Sequence, residues 1–508
     1  MTTFTVARGR GGPLARVPLL VVTTGILSSA MLIPALHAWT LGEAREAFVF
    51  AYWGVLGLVL SAALGLALAR GRRTPPARDH LVGMAGTYAL LPILAAQPIA
   101  ALRPDLALGD VYLEMVAAVT TTGGSLFDPL ALSPTIHLWR AGVAWLGGLA
   151  VWIAAVAILA PLRLGGFELT WSKEAGQTAR LATPTQTTTP AHRIARYARA
   201  LAPVYAGLTL ILGMVLAALG QPPTEAAIWA MSTVSTSGIT GNGAAPVRLG
   251  EAVIFLFFAF AVTRQAFATD LHRDQFERLT SDRELRMAVS IVALTALALF
   301  LRHWIGALEL RGAGDGFAAA ARALWGAVFT LASFLTTTGF ESADWPTARS
   351  WSGLDTPAVL LVGLAMVGGG VATTAGGVKL LRVYALYAHG RKEMAVLVHP
   401  HQVGAHVPSA TRLTGQGVEA AWVFLMIFAM SVAAVTLMLG ATGLDFRTSL
   451  VLAVATLTTC GPLASIAIEG GTAVLEPSAK AILAAAMVVG RLETLALIAL
   501  FNPAFWRR

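Results

Sequence analysis

Long apolar runs alternate along this chain with short polar strips that end in glycine. Runs at 17–39 and 48–69 are each long enough to cross a bilayer as a helix, for which about 20 apolar residues suffice. From residue 80 the alternation becomes periodic. A span at 81–101 precedes a shorter, partly polar segment at 106–120, the strip Thr120-Thr121-Thr122-Gly123, and a second span at 137–162. The same order recurs through 197–220, 224–234, Ser235-Thr236-Ser237-Gly238 and 250–268. It recurs again through 285–305, 317–335, Thr336-Thr337-Thr338-Gly339 and 356–386, and through 417–439, 446–457, Thr458-Thr459-Cys460-Gly461 and 478–500. The segment before the first strip is too brief to cross a hydrocarbon core of about 30 Å. It reads as a re-entrant half-helix, because non-helical backbone at membrane depth survives only where it is buried or lines a wet cavity.

The pattern predicts an all-α integral membrane protein. An N-terminal helix pair (1–79) leads four helix–half-helix–helix repeats (80–196, 197–284, 285–416 and 417–508) in pseudo-fourfold arrangement around a central pore. Counting two spans per repeat gives ten crossings.

Composition agrees: 56% of residues are apolar, 12% are charged, and mean hydropathy is +0.70, whereas soluble domains carry about 25% charge. The net charge of +9 argues little for nucleic acid as a partner. The basic residues fall in short segments between apolar runs, such as Arg70, Arg72, Arg73 and Arg78, Arg193, Arg196 and Arg199, Arg273, Arg278, Arg283 and Arg286, and Arg391, Lys392 and Arg412. That is the positive-inside bias, and it places both termini in the cytoplasm. The opposite loops carry Arg248, Arg311 and Arg349, but also Asp128, Asp315, Glu341 and Asp344. A basic start before an apolar run resembles a signal peptide in outline. The run at 17–39 is of spanning length and lacks a small-x-small site, so it reads as a retained helix. The sole cysteine, Cys460, excludes an internal disulfide.

The strips suit a dehydrated monovalent cation, which must exchange hydration oxygens for protein oxygens of similar strength. Threonine and serine keep the backbone extended, and a terminal glycine adopts φ > 0 freely, so that successive carbonyls face one side. Each half-helix adds its negative C-terminal end. The expected ligands are the carbonyls of Thr121, Thr122, Thr236, Ser237, Thr337, Thr338, Thr459 and Cys460, with Gly123, Gly238, Gly339 and Gly461 closing the filter. One such strip is a weak signal, since small polar residues also mediate helix packing; four in the same context are specific.

The last span of the third unit is interrupted by Gly368, Gly369, Gly370, Thr373, Thr374, Gly376 and Gly377. Small residues allow close helix packing, but so many glycines cost helix propensity at about 1 kcal/mol each. The stretch therefore reads as an intramembrane loop that obstructs the path until displaced. Lys379 and Arg491 are ionisable residues in or at the end of apolar spans, a costly placement unless paired or wet. Lys379 lies where it can snorkel; Arg491 is expected to face the pathway and raise a barrier to cations. Asp110, Glu114 and Asp445 lie near half-helix starts and either concentrate cations or favour helix N-termini. His399, His401 and His406 lack a fourth ligand for a metal, and no nucleotide loop, zinc signature or nucleophile elbow occurs in its required context. The chain is not read as an enzyme.

The strip Thr120–Gly123, Trp139-Arg140 with Trp145-Leu146-Gly147-Gly148, Gly368–Gly370 through Thr374–Gly377 and Lys379, Cys460-Gly461-Pro462, and Gly490-Arg491-Leu492-Glu493 together resemble the Trk/Ktr/HKT superfamily. The leading helix pair makes the chain most similar to its bacterial TrkH branch, over about residues 40–505. The second and fourth strips depart from the commonest family forms. The resemblance implies potassium uptake across the bacterial cytoplasmic membrane, with glycine at all four filter positions pointing to potassium and serine at the first to sodium. It also implies the same loop gate, a homodimer, and a cytosolic regulatory subunit of TrkA type that carries the nucleotide, so that this chain needs none. A sodium-preferring relative is the nearest alternative. An inverted-repeat secondary transporter conflicts with four repeats in one orientation.

Overall fold

In the computed structural model the described residues are 17–69, 77–160, 190–241, 246–263, 282–305, 317–354, 356–398, 415–468 and 471–493. The basic segments around Arg8, Arg70, Arg273 and Arg412, the loop residues Arg311 and Asp315, and His399, His401 and His406 lie outside them.

All regular structure among the described residues is helical. The leading pair comprises α1 (Leu19–Ala30) with α2 (Leu32–Thr40), nearly continuous, and α3 (Ala44–Ala69). The first unit is α4 (Ala77–Leu102), α5 (Leu108–Val119) and α6 (Pro134–Ala154), the last continuing as a π turn at Ala155–Leu159. The second is α7 (Pro190–Ala218), α8 (Pro223–Ser235), α9 (Arg248–Phe257) and α10 (Ala259–Val262). The third is α11 (Arg283–Ile305), α12 (Phe317–Leu335), a short α13 (Trp345–Ser352), α14 (Pro357–Val367) and α15 (Leu380–Val398). The fourth is α16 (Gly415–Gly440), α17 (Phe446–Leu457), a short α18 (Leu463–Ala467) and α19 (Pro477–Leu492). Proline opens α6, α8, α14 and α19, a position where its missing N–H costs nothing.

Among the described residues eight helices are long and apolar enough to cross a membrane, and the chain is a multi-pass membrane protein. Seven of these are predicted spans and the eighth is α12, a predicted half-helix. The second spans of units two, three and four are short or broken within the described residues, whereas α12 qualifies at 19 residues. Its first turns are alanine-rich, and that high propensity carries the helix outward from the strip. The other half-helices have 12, 13 and 12 residues, each within two residues of its predicted ends.

The long helices and the half-helices have opposite surroundings. Helices α3, α7, α11 and α16 expose Leu60, Leu66, Leu210, Met214, Leu294, Met430 and Leu437, side chains that suit lipid. The half-helices are enclosed: from Leu113 to Val119 and from Val451 to Leu457 every side chain is buried. A helix apolar on all sides belongs in an interior, and α5 is packed by α4, α6 and α19 while α17 is packed by α16, α14 and α19.

Candidate functional site

Each half-helix ends on a threonine in the left-handed region: Thr121 (φ 51°), Thr236 (φ 54°), Thr337 (φ 56°) and Thr459 (φ 54°). Glycine is the usual residue at such a helix stop, and a β-branched side chain there is strained by roughly 1–3 kcal/mol. Threonine therefore does not keep these positions extended, contrary to the sequence expectation. The reversal folds strip N–H groups back onto the helix. Ser237, Thr338 and Cys460 donate to Ser232, Ser333 and Ala455 at 3.0, 2.9 and 2.8 Å, and Gly123 donates to Ala117 at 3.0 Å.

With their N–H groups so engaged, the strips keep carbonyls in reserve. Among the described residues the carbonyls of Thr121, Thr236, Ser237, Thr337, Thr338 and Thr459 accept no hydrogen bond. Those of Thr122 and Cys460 are engaged, by Gly461 N–H at 2.6 Å and Leu463 N–H at 3.2 Å. The hydroxyls of Thr121 and Thr459 are also buried without a partner. Behind the strips, hydroxyl pairs brace three units: Thr120 with Thr122 at 2.8 Å, Ser235 with Ser237 at 3.1 Å, and Thr336 with Thr338 at 3.0 Å. The fourth has Cys460, buried and free, in the equivalent place.

The four strips touch in cyclic order. A Cβ on Gly123 would lie 1.5 Å from Ser237 O, one on Gly238 2.2 Å from Thr338 O, one on Gly339 2.6 Å from Pro462 Cγ, and one on Gly461 2.1 Å from Gly123 O. No side chain fits at any of these positions. Positive φ holds for Gly123, Gly238 and Gly339, whereas Gly461 does not adopt it and is required by close approach alone.

Polar groups hold the outer ends. Glu114 forms a salt bridge with Arg140 and accepts Leu126 N–H at 2.9 Å; Arg140 also donates to Gly124 O at 2.9 Å and His137 Nδ1 at 3.0 Å. Glu114 is 2% exposed, so it neither faces the mouth nor caps a helix end. Asp110 pairs with Lys480 at 2.7 Å, joining α5 to α19. Asp445 caps α17 through Thr448 N–H at 3.1 Å, and hydrogen bonding to Thr448, by its side chain and then its backbone, holds the carboxyl below the usual range.

Beneath the strips, the chain between α14 and α15 forms a buried loop at 368–379. Gly376 N–H donates to Thr337 Oγ1 at 2.8 Å, and Thr374 Oγ1 donates to Val234 O at 3.1 Å. Gly370 N–H and Thr373 Oγ1 both reach Ala261 O, at 3.0 Å each, and Val371 N–H reaches Glu284 Oε1 at 2.9 Å. A Cβ on Gly376 would fall 2.0 Å from Thr458 O, and one on Gly370 1.9 Å from Val262 O. Gly368 (φ 75°) and Gly377 (φ 79°) pack on each other, and Gly369 N–H meets Gly376 O at 3.3 Å. Arg491 is 6% exposed and donates to Thr374 O at 2.7 Å. Lys379 (φ 84°) is buried and turns Nζ back onto Ala375 O. A cavity of about 30 Å³ lies between the loop, Lys379, Arg491 and Glu493. At roughly 10–15 Å³ per water it is no open passage.

The sequence reading missed Arg382, which is fully buried, stacks its guanidinium 3.7 Å from the Phe424 ring centroid and pairs with Glu493 at 3.2 Å. Its signal was available, as an arginine three residues past Lys379. It also missed Glu251, a carboxylate in an apolar run, considered below.

These features define a multi-pass, all-helical membrane protein in which four half-helix ends bring unpaired backbone oxygens together. The model of the family described as "TrkH: Cation transport protein" matches residues 285–508. The chain is 31% identical over 442 residues to the Trk system potassium uptake protein TrkH of Vibrio parahaemolyticus, covering 84% of each. It is 30% identical over 502 residues to that of Halomonas elongata, covering 96% of this chain and 91% of the relative. The crystal structure of the potassium transporter TrkH from Vibrio parahaemolyticus superposes with a TM-score of 0.79 at 26% identity, covering 98% of this chain and 100% of that one. The chain belongs to the TrkH family of cation transport proteins.

Proposed function

We propose that this protein takes up potassium across the bacterial cytoplasmic membrane through a filter built from the four strips. The observation that carries the reading is the cyclic contact of four glycine-ended strips whose carbonyls are largely without protein donors. A cation stripped of water finds substitute oxygens there, and the half-helix ends favour positive charge. The repeats begin near residues 80, 197, 285 and 417, follow the leading pair, and surround one pore. The loop at 368–379 is the gate. Its bonds to Thr337, Val234 and Arg491 support a closed state in which Arg491 adds an electrostatic barrier. Relatives named as parts of Trk systems support a partner subunit; in our reading it is cytosolic, nucleotide-binding and of TrkA type, docked on the cytoplasmic segments of a homodimer with both termini inside.

The test is growth of potassium-uptake-deficient cells at low external potassium, with Gly123→Ser as comparison. The parent restores growth. The variant, whose Cβ meets Ser237 O at 1.5 Å, loses growth or shifts preference toward sodium. A variant that grows like the parent with unchanged rubidium-over-sodium uptake overturns the filter assignment.

A further inference from the structure

A carboxylate stands behind the third residue after the filter glycine in three of the four units. In the first, Glu114 accepts Leu126 N–H at 2.9 Å. In the second, the Glu225 carboxylate lies against Gly241, where a Cβ would fall 2.4 Å from Oε1. In the third, Glu251 Oε2 accepts Ser342 Oγ–H at 2.8 Å. In the fourth, the corresponding Ala464 turns its N–H back to Gly461 O at 2.8 Å instead.

Glu251 differs from the other two in origin and in partners. It stands on α9, in the second unit, yet it serves the third strip. It is fully buried, and besides Ser342 it accepts Ala343 N–H on Oε1 at 2.7 Å and Trp325 Nε1–H on Oε2 at 2.9 Å. Three donors converging on one group require an acceptor-only partner, which a carboxylate is and an amide is not. The segment it grips is short and otherwise tied to α12, through Phe340 N–H to Ser333 Oγ at 2.6 Å and Ser342 N–H to Thr330 Oγ1 at 3.2 Å. Glu251 thus fixes the outer end of the third strip against the neighbouring unit, beside the more exposed Arg248–Asp344 pair at 3.3 Å.

We propose that Glu251 is a positioning residue for ion selection, holding the third strip at a set distance from α9 so that the ring of oxygens keeps the width a potassium ion needs. It touches no ion itself and acts through Ser342 and Ala343. The assignment rests on the filter reading above. A small change in ring width matters because the ion's coordination is made of many oxygens at once, and sodium is the smaller competitor.

Rubidium and sodium uptake by purified full-length protein in liposomes tests this, with Glu251→Gln and Trp325→Phe. Glutamine keeps the shape of Glu251 but turns an amide donor toward at least one of the three donors. Trp325→Phe keeps the carboxylate and removes one donor. The expected result for Glu251→Gln is a rubidium-to-sodium ratio lowered about tenfold with rubidium uptake retained, the factor that a mismatched buried hydrogen bond commands. Trp325→Phe lowers the ratio in the same direction by less. A monodisperse Glu251→Gln protein with the parent ratio overturns the proposal. Should that variant fail to fold, an unchanged ratio in Trp325→Phe overturns it instead. A parent that does not discriminate rubidium from sodium overturns the filter reading and this assignment together, whereas a selective parent with unaltered variants overturns this assignment alone.

Discussion

Four threonines in a backbone region they ordinarily avoid (Thr121, Thr236, Thr337 and Thr459) persist only because their surroundings over-determine them. Thr337 shows one such constraint, since its hydroxyl accepts the Gly376 N–H of the loop beneath. Thr337→Val keeps the branching and removes that acceptor. The loop's attachment to the strip should lose about 0.5–1.5 kcal/mol, and, if the loop gates the path as proposed, liposomes holding the variant alone should pass rubidium faster than the parent, up to about tenfold. An unaltered rate would separate loop from strip. The glycines of the strips were legible in the sequence because only glycine admits such close neighbours. The left-handed threonines were not, since threonine is by preference a strand former and nothing in Thr-Thr-Thr-Gly marks which residue reverses.

The half-helices were legible from length and from what flanks them, and all four lie within two residues of their predicted ends. At 19 residues α12 is the longest of them, its alanine-rich turns favouring helix, and it has the bounds the sequence predicts. The interruption between α14 and α15 was equally plain in its run of glycines. What the sequence could not convey is how firmly the loop is tied, because its partners Ala261, Glu284 and Val234 are distant along the chain. The same holds for the joint between α5 and α6. Glu114 and Arg140 are 2% and 1% exposed, and removing one member of a buried pair strands the other at a cost of about 3–5 kcal/mol. Glu114→Gln and Arg140→Met should each lower Tm in detergent, and the double variant should fall by less than the two changes added. Additive losses would mean the pair is not coupled.

The units meet along seams that neither strip nor helix reveals singly. Helix α19 closes the circuit: Lys480 grips Asp110 of the first unit, and Arg491 grips Thr374 of the third. Arg491→Ala removes both a latch and a positive charge below the strips. Rubidium flux through the variant without a partner subunit should rise severalfold, and unchanged flux at equal protein level would argue that Arg491 serves packing alone.

Because each strip leans on the next through a glycine face, and all four are written into one chain, every one of those contacts is a unique pair. In an assembly of four identical subunits a single replacement appears at every wall together. Here it appears once, and one further replacement across the seam can answer it. The fourth wall already differs from its counterparts, with cysteine where they carry hydroxyls and a glycine that needs no unusual torsion, and the circle is shut all the same.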